Sequence, residues 1–331
     1  MLSESSLPLL KKDLERLESE IEKSLPSKPE KVYEMLVPYI RRGGKRIRPV
    51  LSILTCLAFG GASKDVLKPA LIIELFHNFT LIHDDIEDNS LMRRGEPTLH
   101  IIYGVPIALN SGDALYTAIW QNIVDLSLPA NEFLELQKMY VSTFRGVVEG
   151  QGIELSWYND CRFDISEEDY FSMITGKTAC LIGLSCKVGA FVAKCDKKMQ
   201  DNMKKFGEYL GIAFQIQDDV LNLVGDVKKY KKEIGGDITE GKRTLMVIHA
   251  LKRANASDKE FLVSCLKNHE VDEKNIKKCI DVLVKHRSIE YAKEKAVMFV
   301  KKARDCLDSV PESVFREELG KMCEFIVSRE S

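Results

Sequence analysis

Apolar residues recur every three or four positions along most of this chain, and that spacing predicts helices. In LLKKDLERLESEIEKSL, residues 9–25, leucines and isoleucines fall at helical intervals with charged residues between them. LSILTCLAF is apolar nearly all round and runs into Gly60-Gly61, a C-terminal stop. Residues 65–89 read as a long helix that closes on an acid cluster, with Pro69 tolerated near its start. Further helices are expected at 106–127, 132–157, 166–192 and 197–224, and four more between 240 and 329. Strand alternation is absent, and no Asn-Gly or Asp-Gly turn joins alternating apolar runs. No fixed-period repeat, low-complexity tract or long linker divides the chain. The expected architecture is therefore a single all-α domain spanning residues 1–331, its central helices apolar on every side.

Composition narrows the picture. Hydrophobic residues make up 45% and charged residues 30% of 331, an ordinary globular balance. A net charge of −2 does not suit a nucleic-acid binder. Nine cysteines are scattered without a CxxC pair, mostly in apolar helical surroundings, which suits buried thiols in a reducing compartment. The N-terminal stretch lacks a basic region followed by an apolar run, and no uncharged apolar stretch reaches the length of a membrane span. A cytoplasmic protein without a transmembrane segment is expected.

The chemistry concentrates where apolar helices end. LIHDDIEDNSLMRRG places Asp84 and Asp88 one helical turn apart, with Asp85 beside them and Arg93-Arg94 just beyond. GIAFQIQDDVLN repeats the pattern with Asp218 and Asp219. Crowded carboxylates repel and call for a cation. Oxygen ligands without a His/Cys set suit Mg²⁺, which commonly shares a phosphate with the protein. Either cluster alone also reads as a solvated helix end; two of them, each closing an apolar run, point to a metal-bridged diphosphate.

Basic partners accompany the acids. GGKRIRP offers a Gly-Gly turn followed by Lys45, Arg46 and Arg48, in which Lys45 and Arg48 suit a phosphate. GKTACL sets Lys177 at the head of an apolar segment, and KKYKKEIGGDITEGKRT carries Lys232 and Lys242. Together they exceed what one diphosphate needs. The spacing of a P-loop is absent, which weighs against nucleotide hydrolysis.

In this order the motifs resemble those of the trans-type isoprenyl diphosphate synthases, from about residue 40 to 250. LIHDDIEDNSLMRRG is similar to their first aspartate-rich motif and FQIQDDVLN to their second. GGKRIRP, GKTACL and GGDITEGKRT resemble their other signatures. The resemblance implies an all-α prenyltransferase, usually a homodimer, that condenses isopentenyl diphosphate head-to-tail with an allylic diphosphate using Mg²⁺. It implies that Asp84 and Asp88 bind two Mg²⁺ ions and Asp218 a third, supported by Asp85 and Asp219. Lys45, Arg48, His77 and Arg94 would hold isopentenyl diphosphate. Arg93, Lys177, Lys232 and Lys242 would hold the allylic diphosphate, with Thr178 and Gln215 near the reacting carbons. Asn222 stands where many members have a third aspartate, and would donate to diphosphate. Glu154 replaces a usual Asp, and Lys231 a usual Gly.

The helix entering Asp84 is expected to wall the tunnel for the growing chain. Phe76 and Thr80 lie two turns and one turn before Asp84, and Phe79 lies beside Thr80. Phe79 occupies the position that carries an aromatic in many archaeal-type geranylgeranyl synthases, so a C20 product is expected, with C15 and C25 as alternatives. Two other readings are a class I terpene cyclase and a non-catalytic partner subunit. The Lys45/Arg48/Arg94 group argues against the first, and the complete set of acids against the second.

Overall fold

The computed structural model describes residues 8–224, 235–268 and 271–328. These form two compact units. One comprises residues up to 142, 184–203 and 310–316; the other comprises 143–183, 204–309 and the residues from 317 on.

In the first unit a short 3₁₀ turn leads into α1 (Lys11–Lys23), which buries Leu17 and Ile21 on one stripe. Two short helices follow, α2 (Glu30–Tyr33) and α3 (Leu36–Arg41). The Gly43-Gly44 turn opens α4 (Ile47–Ala58), whose residues are buried almost throughout, as its unbroken apolar run requires. α5 (Ser63–Glu87) carries Pro69 in its second turn, and the Pro69 carbonyl accepts a hydrogen bond from the buried Tyr140 hydroxyl at 3.0 Å.

Where no strand is expected, a two-residue antiparallel hairpin forms: β1 (Met92–Arg93) pairs with β2 (Glu96–Pro97), Arg93 opposite Glu96. Its loop, Arg94-Gly95, has φ of +56° and +83°. Positive φ at both loop residues is the primed turn that matches strand twist, here built on Arg-Gly instead of Asn-Gly. This corrects the sequence expectation: the turn signal is present in RRGE, in an unusual spelling. α6 (Leu99–Tyr103) and α7 (Val105–Val124) then pack on α5.

α8 (Ala130–Asn159), α9 (Glu167–Ile174), α10 (Cys180–Val192) and α11 (Lys197–Val224) follow the predicted periodicity. The expected helix at 166–192 is interrupted by a π-helical turn over Thr175–Ala179. After a short α12 (Gly236–Thr239) come five helices where four were expected. They are α13 (Leu245–Arg253), α14 (Ala256–Lys267), α15 (Glu273–Lys285), α16 (Ser288–Cys306) and α17 (Val314–Ser328). The extra break follows from local chemistry. Asn255 accepts the Asp258 N–H and starts α14 afresh, and Arg287 adopts a left-handed conformation (φ +54°) before α16. No helix among the described residues is long and apolar enough to cross a membrane.

Candidate active site

The first acid cluster stands at the C-terminal end of α5, where unsatisfied carbonyls already make the helix end negative. Asp88 is the capping residue and its N–H bonds the Asp84 carbonyl at 2.9 Å. Asp84 and Asp88 are half-buried, while Asp85 is 1% exposed. Burying a carboxylate is costly unless it is paired. Asp85 accepts from the Tyr39 hydroxyl at 3.0 Å and from Arg93 Nε at 2.7 Å, and Arg93 Nη2 lies 2.5 Å away. Burial pushes its pKa up, opposed by the charge and hydrogen bond of Arg93. Burial works against the Arg93 charge too, yet the Asp85 and Asp84 carboxylates hold that guanidinium above its ordinary range. Arg93 thus bridges Asp85 to Asp84, which is 3.7 Å away.

The primed turn sends Arg94 elsewhere. Its guanidinium lies against Gly44, where a Cβ would sit 3.1 Å from Nη2, so the Gly-Gly turn is what admits it. Burial lowers the Arg94 pKa, with Arg46 and Arg93 adding repulsion. His77 is driven well below the usual histidine range by burial first, then by Arg48, Arg94, Arg93 and Arg46. His77, Arg48 and Arg94 therefore share one cationic neighbourhood. Lys45 is half-buried on the same turn. Arg46 is structural instead, and binds Glu74 at 2.8 Å, Glu18 at 2.7 Å and the Ile40 carbonyl.

Upstream on α5, Phe76 is fully buried and Phe79 and Thr80 half-buried. The Thr80 hydroxyl donates to the His77 carbonyl at 2.8 Å. Phe79 sits 5.5 Å from Phe76 and 5.0 Å from Tyr116, ring centre to ring centre.

The second unit holds the second cluster on α11. Asp219 is buried and accepts from the Tyr170 hydroxyl at 3.0 Å and from Gln215 Nε2 at 2.8 Å; Asp218 is half-buried. Burial and the neighbouring Asp237 raise the Asp219 pKa well above its ordinary value, Asp218 adding to it. The Thr178 hydroxyl donates to Gln215 Oε1 at 3.0 Å, so a relay runs from the GKTACL segment to the acid pair. Close backbone approach makes the relay possible: a Cβ at Gly211 would lie 2.7 Å from Ala179 Cα. Likewise a Cβ at Gly150 would meet Lys177 N at 2.2 Å, so the π turn packs directly on α8. There Lys177 reaches Glu154 at 2.5 Å, the longer Glu side chain spanning the gap. Asn222 accepts the Asp237 N–H at 3.0 Å, and Lys242 lies 3.3 Å from Asp237 and 2.5 Å from Glu240. Lys231 and Lys232 lie outside the described residues.

Sequence reasoning missed Tyr39, Tyr170 and Asp237. The tyrosines sit 46 and 49 residues from their acids, and nothing local marks them. Asp237, inside GGDITEGK, was within a recognised motif and could have been picked out there.

Among the described residues no group of three or more His, Cys, Asp or Glu side chains is arranged to hold a metal by itself. An all-oxygen donor set with the buried acid already committed to protein donors fits a hard ion that completes its shell with water and phosphate.

Comparison with known proteins gives the site its context. A model of the polyprenyl synthetase family matches residues 29–283. The chain is 40% identical over 283 residues to the short chain isoprenyl diphosphate synthase of Methanocaldococcus jannaschii, covering 85% of this chain and 84% of that one. It is 35% identical over 291 residues to the geranylgeranyl diphosphate synthase of Saccharolobus solfataricus, 87% of each. The crystal structure of geranylgeranyl pyrophosphate synthetase from Pyrococcus horikoshii Ot3 matches with a TM-score of 0.92 at 35% identity, over 99% of each chain. Polyprenyl synthetases generally use Mg²⁺ and act on isopentenyl and allylic diphosphates. With these motifs, this fold and these relatives, the chain belongs to the polyprenyl synthetase family, the trans-isoprenyl diphosphate synthases, and is a prenyltransferase.

Proposed function

We propose that this enzyme condenses isopentenyl diphosphate with allylic diphosphates to make geranylgeranyl diphosphate, working as one catalytic domain. The observation that supports the reading is that each unit carries a like-built acid cluster, a buried aspartate held by a tyrosine hydroxyl beside a half-buried one, and that the first unit also sets Arg48 and Arg94 near His77. One diphosphate needs acids; a second needs the arginines.

Asp84, Asp88 and Asp218 would hold Mg²⁺, three ions with substrate bound. When bound, the metal supplies positive charge to the diphosphate as the allylic C–O bond breaks. Asp85 and Asp219 stay with their tyrosines and fix the direction of the acids beside them. Arg93, Lys177, Lys232 and Lys242 balance the allylic diphosphate. Lys45, Arg48, His77 and Arg94 hold isopentenyl diphosphate, and Thr178 and Gln215 line the reacting carbons. Asn222 accepts the Asp237 N–H through its side-chain oxygen and so seats Asp237, and its amide N–H₂ would donate to the diphosphate. The final proton goes to the departing diphosphate, so no side-chain base is assigned.

Phe79, with Phe76 beneath it and small Thr80 beside it, sets the length at C20. The exposed apolar residues Ile101, Ile102, Tyr103, Val105, Ile107 and Leu109 favour a homodimer.

The test is a product assay with Mg²⁺, isopentenyl diphosphate and C5, C10 or C15 allylic starters, read by mass spectrometry. A linear C20 diphosphate is expected. Linear C15 or C25 would refute the ruler alone. A cyclic hydrocarbon would replace the reaction with cyclisation, and no product from folded protein would remove it.

A further inference from the structure

Phe79 does not stand alone on its helix. His83, one turn nearer the acid cluster, packs its ring 4.7 Å from the Phe79 ring. Tyr116 of α7 closes another side at 5.0 Å and Phe76 a third at 5.5 Å. Tyr116 is itself backed edge-on by Trp120 at 6.3 Å. These rings crowd Phe79 on three sides.

The His83 ring is placed by shape instead of polarity. Its Nε2 is buried without a hydrogen-bond partner, and the nearest carboxylate oxygen, on Asp113, is 3.6 Å away. A buried polar nitrogen left unbonded is costly, so some other requirement keeps it there. That requirement is visible at Gly112 on α7. A Cβ at this position would lie 2.4 Å from His83 Nε2 and 2.6 Å from Cδ2. The imidazole edge rests directly on the glycine, so any Cβ here would make the ring move from its present place. Glycine in mid-helix weakens the helix, so here it exchanges local stability for a seat.

We propose that Gly112 and His83 form a steric seat that fixes Phe79, and that His83 is a positioning residue for product length. The inference rests on the reading of Phe79 as the residue that stops the chain. With the seat intact, Phe79 has one orientation and the enzyme one main product. Without it, the ring swings aside and the chain grows further.

The experiment measures product distributions of the full-length protein from a C15 allylic starter. Variants are His83→Ala, His83→Phe, Phe79→Ala and Phe79→Ala/His83→Ala, each checked for folding by its thermal melt. His83→Ala is expected to shift the main product up by at least one isoprene unit, and His83→Phe to restore the parent distribution. The double variant should match Phe79→Ala alone, because His83 acts through Phe79. If His83→Ala fails to fold, Gly112→Ala takes its place: alanine favours the helix, yet its methyl group displaces the imidazole, so the distribution must again shift upward. An unchanged distribution in His83→Ala or Gly112→Ala while Phe79→Ala lengthens the product overturns the seat and leaves the ruler standing. No lengthening in Phe79→Ala overturns the ruler, and the seat with it.

Discussion

Asp85 and Asp219 hold the same place in their clusters. Each is the buried acid, each accepts from a tyrosine hydroxyl at 3.0 Å, and each neighbours a half-buried aspartate. They differ in what balances them. Asp85 has the Arg93 guanidinium at 2.5 Å, delivered by the hairpin that follows its own helix. The two donors to Asp219, Tyr170 and Gln215, are neutral, and a further acid, Asp237, is its strongest charged neighbour. The first cluster carries its own counter-charge. The second concentrates negative charge, with Lys242 standing near Asp237. Among the described residues, similar geometry at the buried acid thus rests on different electrostatics.

The largest effects should fall on the half-buried members. Asp84→Ala and Asp218→Ala should each lower kcat by about 10²–10³-fold, the usual loss when a group that stabilises developing charge is removed. The melting temperature without ligand should stay the same or rise. Steady-state kinetics beside a thermal melt checks both, and a loss confined to one cluster would break the claim that both serve one reaction.

Stability should separate the clusters next. Arg93→Ala strands a buried carboxylate and should cost about 3–5 kcal/mol in urea unfolding. Gln215→Ala removes one neutral donor and should cost about 1–2 kcal/mol. Equal costs would mean that Asp219 bears as full a charge as Asp85.

The tyrosines give a finer measure. Tyr39→Phe and Tyr170→Phe should each cost about 1–2 kcal/mol, Tyr170→Phe the more, because among the described residues no arginine is paired with Asp219 as Arg93 is with Asp85. The reverse order, in the same urea series, would show that Arg93 does not compensate.

The smallest effect is expected from Asn222→Asp. An aspartate oxygen accepts the Asp237 N–H as well as the amide oxygen does, so activity with Mg²⁺ should change little, while the added charge beside Asp219 and Asp237 should lower the melting temperature without metal. A large loss of activity would show that the amide N–H₂ itself contacts substrate.

Much of this was legible in the chain. The 3.6-residue periodicity located the long helices because each must bury an apolar face, and that requirement is written locally. The acid clusters were legible because helix spacing places their residues on one face, and GGKRIRP and GKTACL because basic residues stand beside glycines in motifs that resemble the family's. Boundaries set by single caps, such as Asn255 and Arg287, were not, and the Arg94-Gly95 turn hid behind an atypical residue pair.

The sequence by itself thus determined the helical class, the family and the residues that carry charge. Only the tertiary structure decided which acid of each pair is buried, that Tyr39 and Tyr170 are their partners, and that Arg93 and Arg94 part company across one turn. It alone set Gly112 beneath His83 and so enclosed Phe79. The physical reason is range. Periodicity, capping and charge spacing act within a turn or two of helix, whereas burial and hydrogen-bond partnership depend on which distant segments pack together.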